Sequence, residues 1–584
     1  MGRGILPPAN DRKGAAHQDR DHWSRPRRAH LGRDPSRAAP RFRYRLRGRP
    51  VVRPILNIRM PTPPVLLLDG NAKSAPEILG HKGHGIDMMR GNGLPVPPAF
   101  CITAEVGASY RAEPAATMDA IWDDVLDGMR RLEAATSRTF GRGPHPLLVS
   151  VRSGAAVSMP GMMDTLLDLG VSDAVEEALA VEGTADFARD TRRRFTGWYQ
   201  HIVGSPAPDD PYLQLRSAIE AVFASWDSPR AVAYRTHHGL DECGGTAVVV
   251  QAMVFGNISA NSGAGVVFSR NPMTGAREEF GEWLPGGQGD DVVSGTVDVE
   301  PIAALRDQQP AVYDELIGAA RSLERLASDM QEIEFTIEDG TLWLLQTRAA
   351  KRSAQAAVRL ALQLHNDGLI DEAETLQRVT PAHVEALLQP SLQPEIRLAA
   401  KLLASGVPAG PGVASGRAYT EVDAAIEAAD RGEDVILVRN HTSPDDIHGM
   451  LIARGIVTET GGATSHAAVV SRELGRAAVV GCGRGVTESL AGKLVTVDGN
   501  EGEVRDGSLQ LSAWSEDDTP ELRELGYIAR RVSPLRAHTR GDYPRLERHS
   551  EAAVRTAMAS GHSDVVSANP LLAMLAAIRL RADT

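Results

Sequence analysis

Residues 455–483 read GIVTETGGATSHAAVVSRELGRAAVVGCG. The run from Gly455 to Thr458 is short, apolar and β-branched, and it ends in Gly461-Gly462, which lets the backbone turn tightly after a strand. From Ser465 to Leu474 the residues suit a helix, with Gly475 as its stop, and AAVVGCG (477–483) reads as the next strand. Strand, loop, helix and strand make an α/β unit. Outward from it, DVILVRN (434–440) and KLVTVDG (493–499) read as further strands, and in TSPDDIHGML (442–451) Ser443 can cap while Pro444 suits a first helical turn. With VPAGPGVASGRAYT (407–420) and DGNEGEVRDGS (498–508), these segments predict a small α/β domain over 405–513.

Within this domain Thr464 or Ser465 is placed to cap the helix, and His466 falls in its first turn. Free N–H groups and the helix dipole favour negative charge there. An imidazole so placed can attack phosphorus and hold the phosphoryl group beside those donors. The plainer alternative is a capping turn whose histidine packs or faces solvent.

On the N-terminal side, LGHKGHGIDMMRGNGLPVPPAFCIT (79–103) has a glycine loop, a short helix, a Gly-Leu-Pro stop and a Pro-Pro entry into a strand. PLLVSVRSG (146–154), GTAVVVQAMVFG (245–256) and GAGVVFSRNP (263–272) read as strands, and DAIWDDVLDGMRRLEAA (119–135) as a helix. Alternating residues on either side of Asp339-Gly340 predict a hairpin. Mixed elements of this kind give a multidomain α+β and α/β build. The stretch 353–404 reads as a helical linker and 514–584 as a tail of unassigned role, Arg-rich with one amphipathic segment, NPLLAMLAAIRL (569–580).

Two further motifs carry chemistry. In Val149–Gly154 a strand delivers Arg152 into a glycine-containing loop, followed by Ser158-Met159-Pro160-Gly161-Met162-Met163-Asp164-Thr165. A guanidinium fork beside exposed amides suits phosphate, and methionines beside glycine suit a mobile flap; an ordinary strand-turn explains the same residues. Across the hairpin, period two puts Glu332 and Glu334 on one face, with Gln346 and Arg348 likewise on the partner strand. Carboxylate and amide oxygens suit Mg²⁺, which shares its shell with substrate phosphates; a solvent-facing ion pair is the alternative. Asn261–Gly265 reads as a second glycine loop, and Lys82-Gly83 as a phosphate-facing lysine.

At 584 residues the chain is long enough for roughly four units, and its composition, 42% hydrophobic and 24% charged, is globular. No apolar run reaches the roughly 18–20 residues of a membrane span. Cys101, Cys243 and Cys482 lack CxxC spacing, which excludes a disulfide framework and a thiolate zinc site and suits a reducing, cytoplasmic setting. Residues 1–60 hold 16 Lys and Arg against 4 Asp and Glu, leaving 47 against 71 in the rest. An acidic body argues against non-specific nucleic-acid binding. The basic segment 1–60 reads as a disordered extension or as sequence upstream of a true start at Met60.

Taken together, SVRSGAAVSMPGMMDT (150–165), MQEIEFTIEDGTLWLLQTR (330–348) and TSPDDIHGMLIARGIVTETGGATSHAAVVSRELG (442–475) closely resemble pyruvate phosphate dikinase, in the same order, over about Leu66 to Gly507. The resemblance implies an ATP-grasp nucleotide-binding region over 61–352 and a swivelling phosphohistidine domain. It implies that His466 takes a pyrophosphoryl group from ATP, that phosphate removes the outer phosphoryl, and that pyruvate receives the other. It places ATP contacts at Lys82, Arg152, Gly161, Gly265, Glu332, Glu334, Gln346 and Arg348, with Mg²⁺ at Glu334 and Gln346, and matches Thr464 to a threonine that a regulatory kinase modifies in some relatives. A phosphate there would put like charge beside His466 and block loading.

Glu332 stands where the family usually has Asp, and Ala264 replaces a usual threonine. The family's barrel for pyruvate and phosphoenolpyruvate needs about 250 residues, whereas about 70 follow Ala513. The expectation is therefore an ATP half of a dikinase whose pyruvate site lies on another chain, with ATP, phosphate and pyruvate as small-molecule partners and room for a homodimer. Alternatives are a phosphohistidine carrier or regulatory protein, a phosphotransferase with a different acceptor, and a non-functional remnant. Antibiotic phosphotransferases of related build carry a substrate domain between the two halves, and the short 353–404 interval argues against one.

Overall fold

The computed structural model describes residues 62–582 apart from 158, 160, 238, 241–244, 295–296, 389–391, 393, 512–515, 517–518 and 547–549. The basic segment 1–60, with the extension expected there, lies outside the described residues.

Two five-stranded sheets, antiparallel throughout, build the first half. One runs in the order Val65–Leu67, Ala99–Ile102, Thr246–Ala252, Val149–Ala155, Thr165–Leu169; the other runs Glu300–Pro301, Phe280–Pro285, Gly263–Phe268, Gln331–Glu338, Thr341–Ala349. The helix Pro76–Gly91 lies between them: Leu79, Ile86 and Met89 pack in one apolar cluster with Cys101 and Val249 of the first sheet and Val267, Ile333 and Leu344 of the second. Close approach to the first sheet depends on Gly80, at φ +67, where a Cβ would fall 1.8 Å from the Gly154 oxygen. The helix therefore carries Lys82 over the strand that bears Arg152.

The expected hairpin forms as Gln331–Glu338 and Thr341–Ala349, turning at Asp339 (φ +47) and Gly340 (φ +78), the two left-handed residues of a tight hairpin turn. Asn261–Gly265 is not a glycine loop. Strand Gly263–Phe268 already includes Gly265, which pairs with Trp283 and Phe335, and a Cβ there would meet the Phe335 ring at 2.6 Å. Packing inside a sheet, not exposure of amides, requires that glycine.

An eight-stranded sheet forms the second half, in the order Leu402–Ser405, Glu503–Asp506, Leu494–Asp498, Val413–Tyr419, Val435–Arg439, Gly455–Thr458, Ala477–Val480, Val407–Gly410. Its four strands from Val413 to Val480 pair in parallel, as strand–helix–strand alternation requires. Period two divides the core: Val435 and Leu437 face helices Val422–Asp430, Ile447–Ile452 and His466–Leu474, while Ile436 and Val438 pack with Val495, Val497 and Val504 on the other side.

The linker and the tail form one body. Helices Ala354–Asn366, Glu372–Arg378 and Pro381–Leu387 share a core with helices Pro520–Val532, Glu551–Ala559 and Pro570–Ala582 and with the two parallel strands Arg536–His538 and Asp564–Val566. Val358, Leu362 and Val384 meet Leu522, Leu525 and Leu572 in that core, and Arg359 pairs with Glu521 at 2.6 Å. The segment expected to be amphipathic is buried along Leu571–Ala577, as befits a helix apolar on every face.

No helix among the described residues is long and apolar enough to cross a membrane.

Candidate active site

The hairpin places its polar residues by register: Glu332 stands opposite Arg348 and Glu334 opposite Gln346. The Arg348 guanidinium bonds Glu332 at 2.5 Å, and both side chains are buried, so this is not a solvent-facing pair. Burial alone would lower the Arg348 pKa, but the carboxylates of Glu332, Glu334 and Glu473 together outweigh it and the pKa rises. Arg152 arrives from the first sheet and donates to Glu334 Oε2 at 3.0 Å, Gln346 Oε1 at 3.2 Å and Gln251 Oε1 at 3.3 Å. Burial works against the Glu334 charge, yet Arg152, Arg348 and Lys82 together hold its carboxyl below the usual range. Lys82 is pushed down to about 7, first by burial and then by Arg152 and Arg348, against Glu334. Lys82, Arg152, Glu332, Glu334, Gln346 and Arg348 thus share one half-buried electrostatic cluster. Gln251, which also holds Arg152, carried no motif signal.

Oxygen donors in this cluster fit a divalent cation. Glu334 and Gln346 present oxygens side by side, and Glu332 Oε2 is buried without a hydrogen-bond partner. Among the described residues no three or more of His, Cys, Asp and Glu converge as a metal cage; Mg²⁺ ordinarily takes one or two carboxylates together with substrate phosphates.

His466 opens the helix His466–Leu474. Its Nδ1 lies 3.0 Å from Thr442 Oγ1, and its Nε2 is buried with no partner. Assigning the ring proton to Nδ1, donated to Thr442, leaves the Nε2 lone pair as the nucleophile. Burial pushes the imidazole down to about 4, partly opposed by Asp446, so the ring is neutral at neutral pH. The side-chain cap expected at this helix is missing. Ser465 occupies the N-cap position without a capping hydrogen bond, and the Thr464 hydroxyl donates to Glu282 at 2.5 Å. Thr442 was not singled out by sequence; it lies just before the Ser443-Pro444 turn, which does form, with Ser443 N and Oγ both donating to Asp446 Oδ2.

The two halves meet around this histidine. Gly161 of the flap (φ +70) sits against it: a Cβ there would lie 3.6 Å from His466 Cδ2 and 3.1 Å from Pro444. Met159 and Met162 anchor the flap by packing with Trp226, Ala231 and Tyr234. Arg230 pairs with Asp164 of the flap and approaches Asp445 of the α/β domain at 4.0 Å. Glu473, on the His466 helix, takes Lys351 Nζ at 2.6 Å and the Tyr234 hydroxyl at 2.5 Å. Gly265 lies on the strand next to the one that carries Glu282.

Comparison with known proteins divides the chain in the same way. The profile of the pyruvate phosphate dikinase AMP/ATP-binding domain matches residues 114–319, and that of the mobile domain of PEP-utilising enzymes matches residues 431–502. The chain carries both of these domains and is similar to pyruvate, phosphate dikinases. It is 40% identical over 479 residues to pyruvate, phosphate dikinase 2 of Zea mays, covering 74% of this chain and 54% of that protein. It is 37% identical over 537 residues to pyruvate, phosphate dikinase of Clostridium symbiosum, covering 82% and 61%, and 39% identical over 505 residues to that of Rhizobium meliloti, covering 74% and 56%. The chain spans about half the length of the curated relatives it matches. The first family match lies inside the nucleotide-binding half and the second inside the eight-stranded domain, so the fold is an ATP-grasp-like region followed by the mobile domain.

Proposed function

We propose that this chain carries out the ATP- and phosphate-dependent loading of His466, the ATP half of the pyruvate phosphate dikinase reaction. His466 Nε2 attacks the β-phosphorus of ATP; the bond from that phosphorus to the bridging oxygen breaks, and AMP leaves with the electron pair. Inorganic phosphate then attacks the outer phosphorus of the pyrophosphoryl-histidine, pyrophosphate leaves, and one phosphoryl group stays on Nε2. Arg152 and Arg348 bring fixed positive charge to the polyphosphate, Lys82 adds one that titrates near neutral pH, and the Gly161 flap lies beside the histidine. Mg²⁺, held by Glu334 and Gln346 with Glu332 alongside, would neutralise phosphate charge when bound. The observation that carries the reading is His466 lying against the flap of the nucleotide-binding half, its Nδ1 3.0 Å from Thr442 Oγ1 and its Nε2 buried without a partner.

Pyruvate is the acceptor proposed for the phosphoryl group, at a site supplied by a separate chain or by residues beyond those described. The setting proposed is the cytoplasm. Regulation at Thr464 is proposed to act on the released carrier, because in the docked arrangement its hydroxyl is buried and given to Glu282.

The test is incubation of the full chain with Mg²⁺, phosphate and ATP labelled at the β-phosphorus. Acid-labile label on the wild type, none on His466→Ala, and release of AMP and pyrophosphate are expected. Label that persists until a barrel-bearing protein and pyruvate are added supports the dikinase acceptor. Label that passes to another acceptor favours a carrier role, and no label with no AMP overturns the reading.

A further inference from the structure

Asp168 sits in an acidic cluster outside those around Arg152 and His466. It lies on strand Thr165–Leu169, which continues the flap, and the strand bulges there: Val149 stands opposite Leu169 while Val151 stands opposite Leu166. Asp168 takes a left-handed φ of +60 in this bulge, and bulges re-aim side chains. Only 2% of Asp168 is exposed, and its Oδ1 is buried without a hydrogen-bond partner among the described residues.

The charged groups that act on it are Asp290 from helix Gly289–Ser294, and Arg194 and Asp190 from helix Ala185–Val203. Strand Val149–Ala155 sets only Val149 and Val151 beside it, and helix Pro211–Ala224 brings the neutral Gln214, which takes Gly170 N at 2.8 Å. Arg194 gives its donors to the other carboxylates: Nε to Asp190 Oδ2 at 2.7 Å, Nη1 to Asp290 Oδ2 at 3.1 Å and Nη2 to Asp291 Oδ2 at 2.7 Å. Arg193 meets Asp190 from the solvent side. Asn257 donates to Asp190 at 3.1 Å, and Gln288 donates to Asn257 at 2.7 Å and through its backbone to Asp291 at 3.2 Å. Asp168 is thus a fourth carboxyl beside a guanidinium already shared by three. A buried carboxyl without a counter-charge keeps its proton. Burial first, and then Asp290, push it up to about 8 against Arg194, with Asp190 adding to the rise.

The cluster is also a bridge. Phe187 and Phe195 of helix Ala185–Val203 share a core with Leu166 and Leu169 of the first sheet, whereas Val292 packs with Val266 and Phe268 of the second. Arg194, with Asp290 and Asp291, therefore ties together the two sheets that supply Arg152 on one side and Glu334 and Gln346 on the other.

We propose that Asp168 is a proton-operated latch within the nucleotide-binding half: while it holds its proton, the Arg194 cluster clamps segment 287–294 to helix Ala185–Val203, and when the proton passes to solvent, repulsion from Asp290 loosens that segment. Once unlatched and hydrated, the carboxyl titrates near its ordinary 3.8; latched, it titrates near 8. Between those values the latched state binds a proton that the open state has lost. Latching is therefore strongest below about 4, weakens by up to about tenfold per pH unit as pH rises, and levels off above about 8.

Amide exchange of the full chain between pH 6 and pH 9, corrected for the intrinsic effect of pH, tests the latch in wild type, Asp168→Asn and Asp290→Asn. Segment 455–480 of the eight-stranded domain serves as the internal reference. In wild type, exchange over 287–294 should quicken about 10- to 100-fold from pH 6 to pH 8 and then level, while the reference stays level. Asp168→Asn keeps the shape of the side chain and tolerates the left-handed backbone; its 287–294 exchange should not change with pH and should be slower than wild type at pH 8. Asp290→Asn removes the strongest repelling charge, so its exchange should level off at lower pH. A wild-type segment that does not respond to pH, a response shared equally by the reference, the same response in Asp168→Asn, or an unmoved levelling point in Asp290→Asn would each overturn the latch. None of these readouts needs His466 to be loaded, so failure of the latch leaves the loading reading standing, and failure of that reading leaves the latch.

Discussion

The hairpin 331–349 and the loop 461–466 each hold a carboxylate among hydrogen-bond donors, yet they are assembled in opposite ways. In the hairpin, partners sit twelve and sixteen residues apart and their pairing follows from register alone: Glu334 with Gln346, Glu332 with Arg348. In the loop, the decisive partner is Glu282, more than 180 residues away on a different domain. A local pair is fixed once its strands pair. A pair across a domain boundary exists only while the domains touch, so the first can serve as permanent scaffold and the second as a reversible contact.

The sharpest way to test this contrast is to cut the hairpin cluster. Arg152→Met leaves Glu334 and Gln346 without their guanidinium in a half-buried site, where the cost of about 3–5 kcal/mol for one-sided loss of a fully buried pair is an upper bound. Loading should be lost and the denaturant midpoint should fall sharply, in contrast to Glu282→Ala, which is expected to slow loading with little loss of stability. Equal loss of stability in the two variants would erase the distinction between scaffold and reversible contact.

A second effect of similar size concerns the body that neither segment announces alone. Leu362→Ala and Leu525→Ala each open a cavity in the core shared by 354–387 and 520–582, at a cost of about 2–5 kcal/mol. Urea unfolding of the single and double variants should show non-additive losses, as expected of residues in one core. Strictly additive losses would separate the two segments again.

Smaller effects come from the histidine itself. Thr442→Val removes the partner of Nδ1 and should slow loading about tenfold, by loss of one hydrogen bond that orients the ring, with nucleotide binding intact. Rapid-quench rates measured beside ATP binding would show it, and unchanged rates would remove Thr442 from the account. With its pKa held at about 4, well below the ordinary 6.5, His466 stays neutral across neutral pH. The unfolded chain binds a proton between those values that the native chain does not, so this contribution lowers stability as pH falls from about 6.5 towards 4. Denaturant midpoints across that range should decline less for His466→Asn than for wild type; equal declines would mean the ring is not held neutral.

What the sequence made legible follows the same division. Period-two alternation and the Asp339-Gly340 turn gave the hairpin and its register, and strand–loop–helix–strand patterning gave the eight-stranded domain, because those signals are local. Lys82, Arg152 and His466 were readable as chemistry and are drawn into the two buried sites. Contacts made across the chain were not readable. Glu282 is one acidic residue in Phe280–Pro285 with no motif around it, and Gln251 and Thr442 are equally unmarked. The glycine-loop reading of Asn261–Gly265 misled for a physical reason: Gly265 lies within strand Gly263–Phe268, where the Phe335 ring leaves no room for a side chain. The linker and tail misled because each holds half of a core.

The central claim is that Thr442 holds Nδ1 so that Nε2 of His466 carries the phosphoryl group. Phosphorus–nitrogen correlation NMR on the loaded, ring-labelled protein tests it most directly. The account predicts a phosphorus bonded to Nε2 of His466; phosphorus on Nδ1, or on any other residue, would contradict it.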